Sequence, residues 1–162
     1  MVVNSRSVDP LRLDLGYLAL FLGLRVNQLA VERFHAAGFR NVRESHGYVI
    51  QHLVEKERSI TELAERMEVT QQAASKVVAE LAGLGVLDLL PGRDRRAKTV
   101  RLSDGGWELV RLGRKIRRQI ESRLIRAAGA EPYETARSIL AACLDALGGM
   151  ERIRSRRIRP PQ

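Results

Sequence analysis

The chain has 162 residues, 44% of them hydrophobic, and a formal net charge of +9. That is enough apolar material for one core with a helical extension, and the surplus charge favours polyanionic partners such as nucleic acid or an acidic membrane surface. Its single cysteine, Cys143, excludes an intramolecular disulfide and a cysteine-rich zinc site and fits a reducing compartment, while His35, His46 and His52 lack cysteine partners at finger-like spacing. The most apolar run, residues 15–24, is too short to span a bilayer. It also has neither the concentrated positive start nor the small-residue cleavage pattern of a signal peptide, so a cytoplasmic location is expected.

Asp9-Pro10 reads as a helix start. After it, apolar residues recur at Leu11, Leu15, Leu18, Leu22, Val26 and Leu29, the face of a long helix running to about residue 37, before Gly38. Leu13, Leu20, Phe21 and Leu24 put apolar surface on its other sides, so this helix needs cover from a partner subunit as well as from its own core. A second helix is expected over residues 42–54, with Tyr48 and His52 one turn apart on one face.

Ser59-Ile60 can form a short strand, and Thr61 is a good N-cap for a helix whose inward face is Leu63, Ala64 and Met67. Glu68-Val69 makes a turn, and Thr70 caps the next helix. That helix puts Ala74, Val77, Val78, Leu81 and Leu84 on one side, and Gly85 is placed to end it in a left-handed cap. Gln72, Ser75, Lys76 and Ala79 face the opposite way, with Thr70 and Gln71 at the exposed N-terminal end.

The β-prone runs 86–90 and 99–102 are joined by Pro91-Gly92-Arg93-Asp94-Arg95-Arg96, a hairpin with a charged tip. Here Arg93, Arg95, Arg96, Lys98 and Arg101 are opposed only by Asp94. Ser103 then caps a long helix to about residue 128, with an apolar stripe of Trp107, Val110, Ile116, Ile120 and Leu124. Arg111, Arg114, Lys115, Arg117, Arg118, Arg123 and Arg126 lie outside that stripe. Glu131-Pro132 opens a last helix to about residue 147, in which Cys143, among Leu140, Ala141, Ala142 and Leu144, is expected to be a small buried hydrophobe. Gly148-Gly149 weakens any continuation, and the arginine-rich tail from Glu151 is expected to be mobile.

The fold class is therefore mainly α with a small β-hairpin wing: a helix to lie in a DNA groove, followed by a charged wing, is a winged helix-turn-helix. A glutamine can pair bidentately with adenine in the major groove, which makes Gln71, Gln72 and Ser75 the base-reading candidates. Thr70, Lys76, Arg93, Arg95, Lys98 and Arg101 are the candidates for holding phosphates. No catalytic triad, phosphate-binding glycine loop or metal-ligand spacing occurs in the sequence, so no enzyme activity, metal or cofactor is expected.

Residues 60–81, then Gly85-Val86, then Asp94-x-Arg96 followed by Val100-x-Leu102-Ser103, resemble the MarR family of winged helix-turn-helix repressors. The resemblance implies a homodimer on a pseudo-palindromic duplex operator, with interlocked terminal helices, the recognition helix in the major groove and the wing at the adjacent minor groove. It assigns Arg96 to the minor groove, with Asp94 orienting it. It also implies repression relieved by a small molecule, for which Tyr17, Phe21, Tyr48 and His52 are candidate effector residues in a cleft between the dimerisation and DNA-binding regions. The expected organisation is dimerisation helix 1–40, DNA-binding region 41–103, dimerisation helices 104–149 and basic tail 150–162. The wing is about one residue short of the family pattern, and Glu80 and Asp88-Leu89-Leu90 stand where the family often carries basic residues. An acid near phosphates costs affinity, so weaker binding or help from the tail is expected. The alternative reading is an architectural or protein-interaction module that binds DNA without sequence preference.

Overall fold

The computed structural model describes residues 8–91 and 98–155. Asp9 does cap a turn, accepting the Leu11 N–H at 3.0 Å, but the element it opens is only a 3-10 turn, Pro10–Arg12. Asp14 then accepts the Tyr17 N–H at 3.0 Å and starts α1 (Leu15–Ala36), so the long helix begins later than Asp9-Pro10 suggests. Two aspartates close together each cap their own amides, and extended backbone at Leu13 and Asp14 separates the 3-10 turn from α1. Helix α2 (His46–Leu53) is likewise shorter than the expected 42–54, because the residues before His46 form turns that bury Val42.

Strand β1 (Arg58–Ser59) leads directly into α3 (Ile60–Met67), and the N-cap is Ser59 rather than Thr61. Ser59 Oγ accepts the Glu62 N–H at 3.1 Å while the Glu62 carboxylate accepts the Ser59 N–H at 2.7 Å. This reciprocal pair satisfies two amides that the helix start leaves open. The Ser59 N–H and hydroxyl also hold the Glu62 carboxyl below its ordinary pKa. Glu68, at φ 55°, turns the chain in the left-handed region, and Thr70 Oγ1 accepts the Ala73 N–H at 3.1 Å to start α4 (Gln71–Gly83). Gly85, at φ 71°, ends that helix turn as expected.

Strands β2 (Leu87–Pro91) and β3 (Lys98–Leu102) pair antiparallel from Leu87 opposite Leu102 to Pro91 opposite Lys98, and β1 adds to the other edge of β3. Ser103 Oγ accepts the Gly106 N–H at 3.0 Å, capping α5 (Asp104–Ala128), and donates to the Gly85 carbonyl at 2.6 Å. The helix start is thereby fastened to the end of α4. Glycine is required at 106, since a Cβ there would lie 2.2 Å from the Val86 carbonyl oxygen. Helix α6 (Ala130–Ala146) follows, and after Gly148 and Gly149 the chain re-enters a helix, α7 (Met150–Arg154).

The main core joins Val49 and Leu53 of α2, Leu63 and Met67 of α3, Val78 and Leu81 of α4, the sheet residues Val100 and Leu102, and Leu109 of α5. A smaller cluster of Ala30, Ile116 and Ile120 ties α1 to α5. Within the expected α5 stripe, Ile116 and Ile120 are buried but Trp107 is exposed, and Leu109 takes the inward place beside the sheet. Cys143 is exposed, contrary to the buried role expected of it. No residue of α6 is buried, and its apolar neighbours Ile139 and Leu144 are exposed too, so an apolar local sequence here does not correspond to a core within one chain. Among the described residues no helix is long and apolar enough to cross a membrane.

Candidate nucleic-acid interface

Helix α4 is anchored by Ala74, Val78 and Leu81, and what it presents outward is small and polar: Gln71, Gln72, Ser75, Lys76 and Ala79 are all exposed. Its first turn carries backbone N–H groups without helical acceptors, so the Thr70 end is electropositive and suited to an anion such as a phosphate. A cleft of about 270 Å³ separates this helix from the base of the hairpin, and Thr61, Gln71, Ser75, Ala79, Leu89 and Lys98 line it. The structure thus brings Gln71, Ser75 and Lys98 to one groove. Thr70, Gln72 and Lys76 are also exposed but lie off its walls.

Thr61 and Leu89 belong to this surface and were not among the sequence candidates. The signal for Thr61 was the serine-to-glutamate spacing of Ser59 and Glu62. Once that pair caps α3, Thr61 becomes its second residue and its hydroxyl is not needed for capping.

Arg93, Asp94, Arg95 and Arg96 lie outside the described residues; the paired strand ends Pro91 and Lys98 mark where that segment leaves and rejoins the sheet. Arg101 is engaged across the hairpin, its Nε 3.1 Å from Asp88 Oδ2, with both side chains substantially exposed. An exposed pair of this kind contributes about 0–1 kcal/mol. Its larger effect is to give Asp88, the acid that departs from the family pattern, a local cation through Arg101 Nε.

Glu80, the other departure, also has a local partner. Arg43, in the turn before α2, binds both Glu80 carboxylate oxygens through Nη2, and His46 Nε2 lies 3.3 Å from the same carboxylate. His46 is fully buried, and its Nδ1 accepts the Arg43 backbone N–H at 3.2 Å, which leaves the ring proton on Nε2 facing Glu80. Burial pushes the His46 pKa below its ordinary value; Glu80 pulls it up and Arg43 adds to the depression. This cluster fastens the second half of α4 to the start of α2.

A larger cleft, about 650 Å³, opens between α1, α2 and α5. Tyr48 lines it, with its hydroxyl pKa raised by burial and by the nearby Glu44. The other three candidate effector residues are elsewhere. His52 points into the core, while Tyr17 and Phe21 stack on each other, with centroids 6.3 Å apart, on the exposed first half of α1. One helical turn separates Tyr48 from His52 in sequence, but the cleft and the core meet along α2 between them. On α1 the cleft wall is instead Asn27, Ala30, Val31 and Phe34.

The sequence model of the MarR family matches residues 42–97. The transcriptional regulator MntR of Escherichia coli O157:H7 is 32% identical over 118 residues, spanning 67% of this chain and 72% of its own length. Among solved structures, wild-type MarR from E. coli in its apo form superposes with a TM-score of 0.65 at 18% identity, over 82% of this chain and 97% of its own. The MepR–DNA complex of Staphylococcus aureus superposes at 0.63 and 18% identity, over 84% of this chain and 99% of its own. At such identities the two superpositions speak for the fold, a winged helix with long flanking helices.

Proposed function

The chain belongs to the MarR family, as a transcription regulator with a DNA-binding fold, and on that premise we propose that it is a homodimeric, sequence-specific repressor acting on duplex DNA in the cytoplasm. The observation that carries this reading is the outward face of α4, with Gln71, Gln72 and Ser75 clear of the core toward the electropositive end of the helix, and Gln71 and Ser75 sharing a groove with Lys98 of the wing. In the proposed complex Gln71, Gln72 and Ser75 read bases in the major groove. Thr70, Lys76, Arg93, Arg95, Lys98 and Arg101 hold phosphates, and Arg96, oriented by Asp94, enters the minor groove. MepR, which shares the fold, has been solved bound to DNA.

Residues 1–40 and 104–149 are proposed to form the dimer, since α1 and α6 expose Leu20, Phe21, Leu24, Ile139 and Leu144 and a second copy would cover them. Residues 41–103 bind DNA, and the basic tail 150–162 adds nonspecific attraction. Two recognition helices must reach successive major grooves about 34 Å apart, so a pseudo-palindromic operator follows and a small rotation between subunits loses the fit. A small molecule in the larger cleft, which lies between the helices of both regions, is proposed to favour the mismatched spacing.

The test is binding of the purified protein to the DNA upstream of its own gene against unrelated duplex, across a salt series. The expected result is a preference of about a thousandfold with a steep salt slope. Equal affinity for both, with no consensus emerging from random-sequence selection, would favour the architectural reading, for which the net charge of +9 is the supporting observation.

A further inference from the structure

Apolar packing sets how deep a helix sits, but it is non-directional and leaves roll and tilt soft. Helix α4 rests on a narrow row of buried side chains, Ala74, Val78 and Leu81. Glu80, beside that row, adds a directional contact. Arg43 Nη2 donates to both of its carboxylate oxygens, and His46 Nε2 lies 3.3 Å from Oε1. The far side of this contact is a turn closed on itself: the Arg43 carbonyl accepts the His46 N–H at 3.1 Å, and the Arg43 N–H donates to His46 Nδ1 at 3.2 Å. Val42 and the His46 ring are buried beside it, so the imidazole meets Glu80 in a fixed orientation. Held in this way, Glu80 carries its own countercharge.

Building on the sequence-specific DNA-binding reading, we propose that Glu80 is a positioning residue for base readout: through Arg43 and His46 it fixes the angle of α4 against the start of α2, and with it the placement of Gln72 and Ser75 on the duplex. Glu80 lies about 12 Å beyond Gln72 along the helix axis, at 1.5 Å per residue. A tilt of about 10° at the Glu80 end moves Gln72 by about 2 Å, whereas a hydrogen bond to a base edge tolerates only about 0.5 Å. Phosphate contacts from long, flexible cationic side chains absorb such a shift. Loss of the anchor therefore erodes discrimination between sequences far more than attraction to DNA in general. That is opposite to the simple effect of an acid near phosphates, under which neutralising Glu80 strengthens binding to every duplex.

The experiment measures, by fluorescence anisotropy with the full chain, affinity for the duplex that wild type selects from a random-sequence pool and for unrelated duplex of equal length. The proteins compared are wild type, Glu80→Gln, Arg43→Gln, the double variant and Arg43→Lys. Glu80→Gln and Arg43→Gln are each expected to lower the preference for the selected duplex about tenfold. The double variant is expected to lose no more than either single one, since all three break the same contact. Arg43→Lys keeps a cation and a donor and is expected to retain part of the preference. A purely electrostatic role moves the single variants in opposite directions on both duplexes, Glu80→Gln tighter and Arg43→Gln weaker, with the preference unchanged. That result overturns the proposal, as do additive losses in the double variant. Thermal melts establish that each variant is folded; if Glu80→Gln is not, the preferences of Arg43→Gln and Arg43→Lys decide. A wild type that selects no consensus sinks the regulator reading and this inference with it, whereas a wild-type preference that survives intact in Glu80→Gln sinks this inference alone.

Discussion

The segment from α2 to β3 and the helices at either end of the chain are comparably rich in leucine, valine and alanine, yet they bury those residues to opposite extents. In the first, Leu63, Leu81, Val49, Val78 and Val100 are all but inaccessible, and every helix start but that of α2 is capped by a side chain. In the second, α6 buries no residue and α1 buries only Ala30, leaving Leu20, Phe21 and Leu24 in contact with solvent. The central module is complete within one chain. The outer helices carry apolar surface that the other described residues do not cover, and large exposed apolar patches of that kind mark association sites.

The sharpest way to break this contrast is a matched pair of truncations. Leu81→Ala should cost about 2–5 kcal/mol, because Leu81 is fully enclosed, whereas Leu144→Ala should cost under about 1 kcal/mol in dilute solution. Chemical denaturation measures both. If the outer helices are a dimer interface, the Leu144→Ala loss should grow with protein concentration, and a loss independent of concentration would count against the interface.

Next in size are the contacts proposed for DNA. Gln72→Ala should cost about 1–3 kcal/mol, confined mainly to one base position, whereas Arg96→Ala should weaken binding to most sequences alike. Competition against single-position operator variants distinguishes the two patterns, and unchanged affinity in Arg96→Ala would remove the wing assignment. Smaller again, Ser59→Ala should lower stability by about 1 kcal/mol through loss of the capping box, while Thr61→Ala should leave stability almost unchanged and act on DNA affinity instead.

The smallest effect is a pH dependence inside the module. His46 faces Glu80 and Arg43, and burial depresses its pKa below the ordinary 6.5. The unfolded chain therefore takes up the proton first as pH falls. The stability that neutral His46 contributes is fully present above about pH 6.5 and is lost as pH falls toward the folded-state pKa. Melting temperatures followed from about pH 8 to 5 should decline on the acid side, and His46→Gln should flatten the decline.

Much of the module was legible in the sequence because its signals are local. Thr70, Gly85 and Ser103 act on amides and carbonyls within a few residues of themselves, and the alternation of Ala74, Val78 and Leu81 with Gln72, Ser75 and Lys76 needs only helical geometry. Two local signals compete at two helix starts: Asp14 supersedes Asp9 as the cap of α1, and Ser59 supersedes Thr61 as the cap of α3 because Glu62 completes a reciprocal pair with it.

The sequence by itself determined the order of helices and hairpin, the polar face of the recognition helix and the concentration of arginine in the wing, since these follow from spacing along one element. Only the tertiary structure decided that Glu80 answers Arg43 and His46, that Asp88 answers Arg101, that Tyr48 and His52 look into different spaces, and that Cys143 lies in the open. The first depends on elements that meet across 37 residues of chain, the second on the register of the hairpin, the third on how α1 and α5 pack against α2, and the last on the Cys143 face of α6 being left open by the other described elements.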